Sequence, residues 1–262
     1  MLTEAQKRNF QEKGYLLGLP RVFDEAQVAE MNAGFEELKK LLRSGETPKD
    51  IREWHEESRF LYDLGTNPVI LDCVEDLLGP DFFLWASNFF AKAPRTKETV
   101  GWHQDAFYWP MQPQHSLTVW IAFRESDEGN GAMRVVPGTH RAGILKHARS
   151  TSTDSVLTLE LEQGSFRDDA SVPLVLKAGE IEIHDDKLVH GSPANPSDRP
   201  RVGLTFRYSR TDVRNDLSVN PNFKAYLMRG VDTFRHNPVG KVPTARYGRT
   251  SFKAVSNEEA GR

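Results

Sequence analysis

Cysteine is almost absent. Cys73 is the only one in 262 residues, which rules out an intrachain disulfide and any cluster of thiolate metal ligands. Long apolar runs are missing too, and nothing approaches the roughly 20 residues needed to span a bilayer as a helix. The first residues, MLTEAQKRNFQEKG, are charged and lack the apolar core of a signal peptide. Charge of one sign is not in excess. Lys and Arg number 34 against 37 Asp and Glu, with no long basic run, so nucleic acid is not an expected partner. Internal repeats and low-complexity segments are also lacking. These absences lead us to expect a cytoplasmic protein that needs no membrane and no obligate protein partner, and whose chain is long enough to bury a real core.

What is present divides into two halves. The front is helical. Thr3 with Gln6, and Asp24 with Gln27, have the spacing of capping boxes. After the second box, Val28, Met31, Phe35, Leu38 and Leu42 recur every three or four residues, which predicts an amphipathic helix ending near Ser44. Asn67-Pro68 opens another helix, whose apolar face includes Cys73 as a buried structural thiol. The stretch GYLLGL at 14–19 reads as a short strand between the first two helices.

From Asp81 the character changes. Short β-branched or aromatic segments alternate with Gly, Pro, Asn and Asp. Strands are expected at 82–92, 100–107, 116–123, 131–136, 172–177, 180–184, 187–190 and 201–209. This spacing predicts a mainly β, α+β chain with a jelly-roll core. The expected organisation is one domain over 1–262, with a helical layer over about 1–80, a β core over about 81–210 and a polar wrap over 211–262. The Ser-, Thr- and Asp-rich region from about 140 to 170 reads as a surface excursion that could form a lid.

The chemistry centres on GWHQDAFYWP, residues 101–110. In a strand, His103 and Asp105 would point to one face and could share a metal ion. A second His would complete the two-His, one-carboxylate set that leaves open positions on non-haem Fe(II). Such a pair is a weak signal, because chance alone gives about half an occurrence in a chain of this composition. A second pair, His184 and Asp186, exists as well, and reads as a structural or supporting one. His190, in KLVHGSPANP, ends a strand, and Arg201 opens the next strand eleven residues later. Strand, turn and return strand can set the two side by side. A guanidinium holds a carboxylate through two parallel bonds, as a 2-oxo acid chelating the metal would require. Alternation in RVGLTFRYS puts Arg201 on the polar side of its strand, which suits either water or a polar interior.

WHQDAFYWP (102–110), SLTVWIAF (116–123), DEGNGAMRVVPGTH (127–140), LVHGSPAN (188–195) with its Arg at 201, and YLMRGVD (226–232) follow one another in a familiar order. Together they resemble the phytanoyl-CoA dioxygenase family of Fe(II)/2-oxoglutarate oxygenases. The resemblance implies a cupin-like double-stranded β-helix that binds Fe(II) and 2-oxoglutarate, consumes O2 and releases succinate and CO2, most often hydroxylating a small molecule. It implies that His103, Asp105 and His190 ligate iron and that Arg201 clamps the distant carboxylate of 2-oxoglutarate. It places Trp120 and Ser192 beside that cosubstrate and Tyr108 toward the substrate. The carboxylate at Asp105 stands where related halogenases have a small residue, which argues against halogenation.

Without the resemblance, Trp120 reads as core packing and Ser192 as a turn residue. Asn88 and Lys92 share a strand face that lines a cavity or meets solvent. His55, His115, His140 and His147 read as surface or loop residues. Two rival functions use the same fold: a cupin-like binding protein without oxygen chemistry, and a metal-dependent hydrolase or isomerase, which would not need Arg201.

Overall fold

The computed structural model describes residues 1–19 and 21–250. Both capping boxes form. The Gln6 amide donates to Thr3 Oγ1 at 3.2 Å and the Gln27 amide to Asp24 Oδ1 at 2.8 Å, with each Gln side chain returning a bond to its cap. They start α1 (Glu4–Lys13), which is followed by β1 (Tyr15–Leu16), and α2 (Glu25–Lys39). The latter stops a turn before the predicted Leu42. Its last apolar residues close tighter i→i−3 bonds instead, Leu41 to Leu38 and Leu42 to Lys39. A helix that the periodicity did not reveal, α3 (Arg59–Gly65), begins at a Ser58 cap. Then α4 (Pro68–Leu78) starts where Asn67-Pro68 predicts, with Asn67 Oδ1 accepting from the Val69 amide. Cys73 is buried on this helix.

The β region begins with β2 (Phe82–Lys92) and β3 (Val100–His103). The predicted strand 100–107 breaks at His103. A single helical turn, α5 (Asp105–Tyr108), replaces its second half. Next come β4 (Met111–Gln112), β5 (Ser116–Ala122), β6 (Arg134–Val135), β7 (His147–Arg149), β8 (Leu159–Leu161) and β9 (Val172–Pro173). They are followed by β10 (Ile181–Asp185), β11 (His190–Ser192), β12 (Arg201–Arg210), β13 (Arg214–Asn215) and β14 (Tyr226–Arg229).

Two sheets carry the jelly roll. The larger has the order β1-β10-β5-β12-β2-β14, and the smaller β3-β11-β6-β9. The polar tail does more than wrap: β14 is the edge strand of the large sheet, and β13 pairs with β4. The excursion is also structured, since β7 and β8 form an antiparallel hairpin.

Strand alternation sorts the large sheet into two faces. Leu117, Val119 and Ile121 of β5, Ile181 and Ile183 of β10, and Leu204, Phe206 and Tyr208 of β12 pack with Phe35, Leu38, Leu61, Ile70 and Val74 of the helices. Truncating one of these to Ala would cost about 2–5 kcal/mol. The opposite residues, Thr118, Trp120, Glu182, His184, Arg201, Thr205 and Arg207, are buried too, but against the small sheet. The helical layer therefore covers the apolar face and leaves the other face as the wall of an interior polar chamber. No helix among the described residues is long and apolar enough to cross a membrane.

Candidate metal and cosubstrate chamber

His103 ends β3 and His190 opens β11, and the two are register partners in the small sheet. Their rings lie 4.1 Å apart between centroids. The His103 Nδ1 is 2.9 Å from the Gly101 carbonyl, and the His190 Nδ1 is 2.9 Å from the Leu188 carbonyl. A carbonyl can only accept, so each Nδ1 carries a proton and Nε2 is the nitrogen left to bind a metal. Burial pushes the His190 pKa well below its usual value, helped by the neighbouring imidazoles, so this ring stays neutral.

Asp105 reaches the same point from a different backbone. Gln104 is extended and caps α5, and Asp105 is that turn's first residue. Its Oδ1 lies 3.7 Å from His103 Nε2. Ligand atoms of His103, Asp105 and His190 all fall within 4.8 Å of one another, and all three residues are buried. The other carboxylate oxygen is engaged elsewhere. Thr118 Oγ1 donates to Oδ2 at 3.1 Å, with Arg207 Nε at 3.7 Å and His184 Nε2 at 3.8 Å. Burial would raise the Asp105 pKa, but Arg207, His103 and His184 outweigh it and hold the group well below the carboxylate range. Two imidazole nitrogens and one carboxylate oxygen thus converge, the donor set of non-haem Fe(II).

The chamber continues from this point to Arg201, lined by Thr118, Trp120, Ser192 and Thr205. Arg201 is buried, and its Nη1 donates to the Gly131 carbonyl at 2.6 Å. Gly131 has φ +83, and a Cβ there would sit 2.8 Å from the Ala194 carbonyl oxygen, so only glycine presents that acceptor. Arg201 Nε and the Ser192 hydroxyl have no partner, although both are buried. Burial pushes the Arg201 pKa down to about 10, which still leaves it charged at neutral pH. An unpaired buried guanidinium is costly, and a carboxylate would relieve it. Trp120 stands beside it, its ring 5.8 Å from the guanidinium carbon. The donor set and these orphaned groups fit Fe(II) with a chelating dicarboxylate.

Tyr108 lies apart from the chamber wall. Its hydroxyl donates to the Leu159 carbonyl on β8, and its ring backs His103 at 5.9 Å. Lys92 is buried, with Nζ donating to the Glu98 carbonyl at 2.6 Å. His184 flanks the site. Its Nδ1 pairs with Glu182 Oε1 at 2.9 Å, and despite burial the Glu182 and Asp105 carboxylates push its pKa up to about 10. Asp186 is held by Lys187 Nζ at 2.8 Å and is not among the residues whose ligand atoms converge. Two histidines read as surface residues are buried: His55 against Ser87, and His140 under the Gln11 carbonyl. His147 stacks on Phe107 at 3.8 Å. Arg207, Thr118 and Glu182 were not singled out from the sequence. Their signal was parity: each lies on the inward set of a strand whose outward set is apolar.

Comparisons with known proteins agree with this geometry. The phytanoyl-CoA dioxygenase family model matches residues 10–203. The peroxisomal phytanoyl-CoA dioxygenase of Bos taurus is 24% identical over 234 residues, covering 80% of this chain and 69% of the relative. The ectoine dioxygenase of Bordetella parapertussis is 23% identical, covering 79% and 75%. Among solved structures, the apo form of the non-haem monooxygenase ThoJ superposes with a TM-score of 0.79 at 24% identity, covering 92% of this chain and 89% of that one. CytC3 with Fe(II) and α-ketoglutarate gives 0.67 at 22%, covering 95% and 99%. The chain belongs to the phytanoyl-CoA dioxygenase family and is an Fe(II)- and 2-oxoglutarate-dependent oxygenase.

Proposed function

We propose that the chain hydroxylates an unactivated C–H bond of a small molecule, with His103, Asp105 and His190 holding the iron and Arg201 seating 2-oxoglutarate. One observation carries the assignment: three converging donor atoms at one end of a chamber, and a buried guanidinium with an unpartnered Nε further along it. Bound there, Fe(II) and 2-oxoglutarate supply the oxidation, in which O2 is consumed and 2-oxoglutarate is split into succinate and CO2.

The chain's own residues do the rest. The Gly101 and Leu188 carbonyls hold both imidazoles in the metal-binding tautomer. Thr118 fixes one oxygen of Asp105 so that the other faces the histidines. Arg201 and Ser192 offer N–H and O–H donors to the distant carboxylate of the cosubstrate, and Trp120 forms the wall beside them. Burial of the whole set keeps bulk water from the reacting centre. In the same reading the partner is a small molecule, with no role for nucleic acid, membrane or an obligate protein, and the enzyme works in the cytoplasm. A hydrolase or isomerase would leave Arg201 without a task, and a cupin-like binding protein would have no need of His103 and Asp105.

Anaerobic titration with Fe(II) and 2-oxoglutarate tests the assignment. The expected result is a weak visible charge-transfer band in the wild type, lost in His103→Ala and weakened in Arg201→Ala. A well-folded wild type with no band would overturn it.

A further inference from the structure

We propose that the substrate carries an anionic group, a carboxylate or a phosphonate, that docks on Arg207. This inference rests on the oxygenase reading above and names the substrate class. Arg207 lies on the same inward face of β12 as Arg201, six residues further along, and so roughly 20 Å away on an extended strand. The strand therefore carries two interior cations, and the cosubstrate accounts for one.

The surroundings of Arg207 are built to present it. It is 8% exposed. Its guanidinium lies 5.0 Å from the Trp109 ring and 6.0 Å from the Trp85 ring, so indole walls it on two sides. With its amide turned to give the oxygen to the guanidinium, Asn88 accepts from Nη1 at 3.2 Å and donates to the Ser87 carbonyl. The Nε has no hydrogen-bond partner. At 3.7 Å from Asp105 Oδ2 it is beyond a good hydrogen bond, and Thr118 already serves that oxygen.

Charge balance points the same way. In the loaded site the metal, Arg201 and Arg207 carry four positive charges, against two on 2-oxoglutarate and one on Asp105, which lies beside Arg207. Glu182 and His184 pair with each other. One positive charge is left over on the Arg207 side, because Asp105 would serve both the metal and the guanidinium. The nearby acid, Glu53, does not neutralise it, because burial pushes its carboxyl up to about 8 even with Arg207 opposite. Arg52 adds to the surplus from the adjoining pocket, where it lines the wall with Asn88 and Lys92. An uncompensated buried cation is expensive, and a guanidinium fork matches carboxylate and phosphonate oxygens. An anionic substrate would complete the balance beside the metal-binding residue Asp105.

The test uses anaerobic protein loaded with Fe(II) and 2-oxoglutarate, titrated calorimetrically with acetate, methylphosphonate and the neutral isostere acetamide. The expected result is saturable binding of an anion at one site and none of acetamide. Acetate and methylphosphonate as separate arms decide between the two anion types. Arg207→Gln should weaken anion binding about tenfold or more, and Arg207→Lys, which keeps a positive charge beside Asp105, should keep part of it together with the visible charge-transfer band. Equal binding of acetamide, no anion binding, or unchanged affinity in Arg207→Gln would overturn the proposal. So would loss of the band in Arg207→Lys, which would mean that anion affinity falls because the metal site fails. Loss of the band in the wild type would instead remove the oxygenase assignment beneath it.

Discussion

His103 and His190 face each other across an antiparallel strand pair, and each ring is tied by its Nδ1 to the carbonyl two residues before it. The repeated bond makes the two imidazoles equivalent donors, set by the sheet and not by either loop. Two residues 87 positions apart in the chain are thereby brought to one register position.

The first prediction concerns that pair. A divalent metal at about 100 times its dissociation constant should stabilise the wild type by about 2.7 kcal/mol. Thermal unfolding with and without added Ni(II) measures this directly. His190→Ala should unfold at nearly the same temperature in both conditions. An undiminished shift in the variant would place the metal elsewhere.

The second concerns Gly203, between Arg201 and Thr205 on the chamber face. A Cβ built there would stand 1.8 Å from Trp120 Cζ2. The ring is held in the sheet's register opposite Thr205 and Glu182, so it cannot yield without moving its strand. Gly203→Ala should cost about 1–3 kcal/mol in denaturant unfolding, the range for overpacking. It should also weaken 2-oxoglutarate binding, since Trp120 borders Arg201. Wild-type stability in the variant would mean that the indole is free to swing away.

The third concerns acid stability. His55 is wholly buried against Ser87 and Tyr226, and burial, with Lys224 opposing its charge, pushes its pKa from 6.5 down to about 3. The depressed value means that the unfolded chain binds a proton first. The contribution to stability is complete above 6.5 and is lost as pH falls from 6.5 toward 3, at up to about 1.4 kcal/mol per pH unit. Denaturant unfolding of the wild type should show that slope below pH 6.5, and His55→Asn should flatten it. Parallel slopes in the two proteins would refute the assignment.

How much of this was legible beforehand follows from what each residue depends on. Thr3, Asp24 and Asn67 act on their own helix, so local spacing revealed them. Arg201 opens the strand that alternation marks, whereas His190, expected to end a strand over 187–190, opens β11 after a turn. Asp105 reached the predicted place by an unpredicted path, because a helical turn after an extended Gln104 does what two strand residues would have done. His55 sits in a short 3-10 turn without an apolar period, and only tertiary packing buries it. Arg207 was readable in principle. It has the same parity as Arg201, but parity alone cannot separate a chamber from solvent until a second sheet covers that face.

The fourth prediction concerns Gln104, the residue between the two ligands of the His-x-Asp pair. It is fully buried, and its side chain makes three bonds. Nε2 donates to the Gly143 carbonyl at 2.8 Å and the Lys187 carbonyl at 2.6 Å, and Oε1 accepts from the Leu145 amide at 2.7 Å. Two of those partners belong to the start of the excursion that carries the β7–β8 hairpin. The same segment therefore supplies metal ligands on one side and fastens the hairpin on the other. Gln104→Ala would leave the three backbone groups unpaired, at about 1–3 kcal/mol for each that water cannot reach. The hairpin would open before the core does. Limited proteolysis should then cut within residues 146–162 about tenfold faster or more than in the wild type, with the metal-dependent shift in thermal unfolding largely kept. Unchanged cleavage would mean that the Phe107–His147 stack holds the hairpin without Gln104.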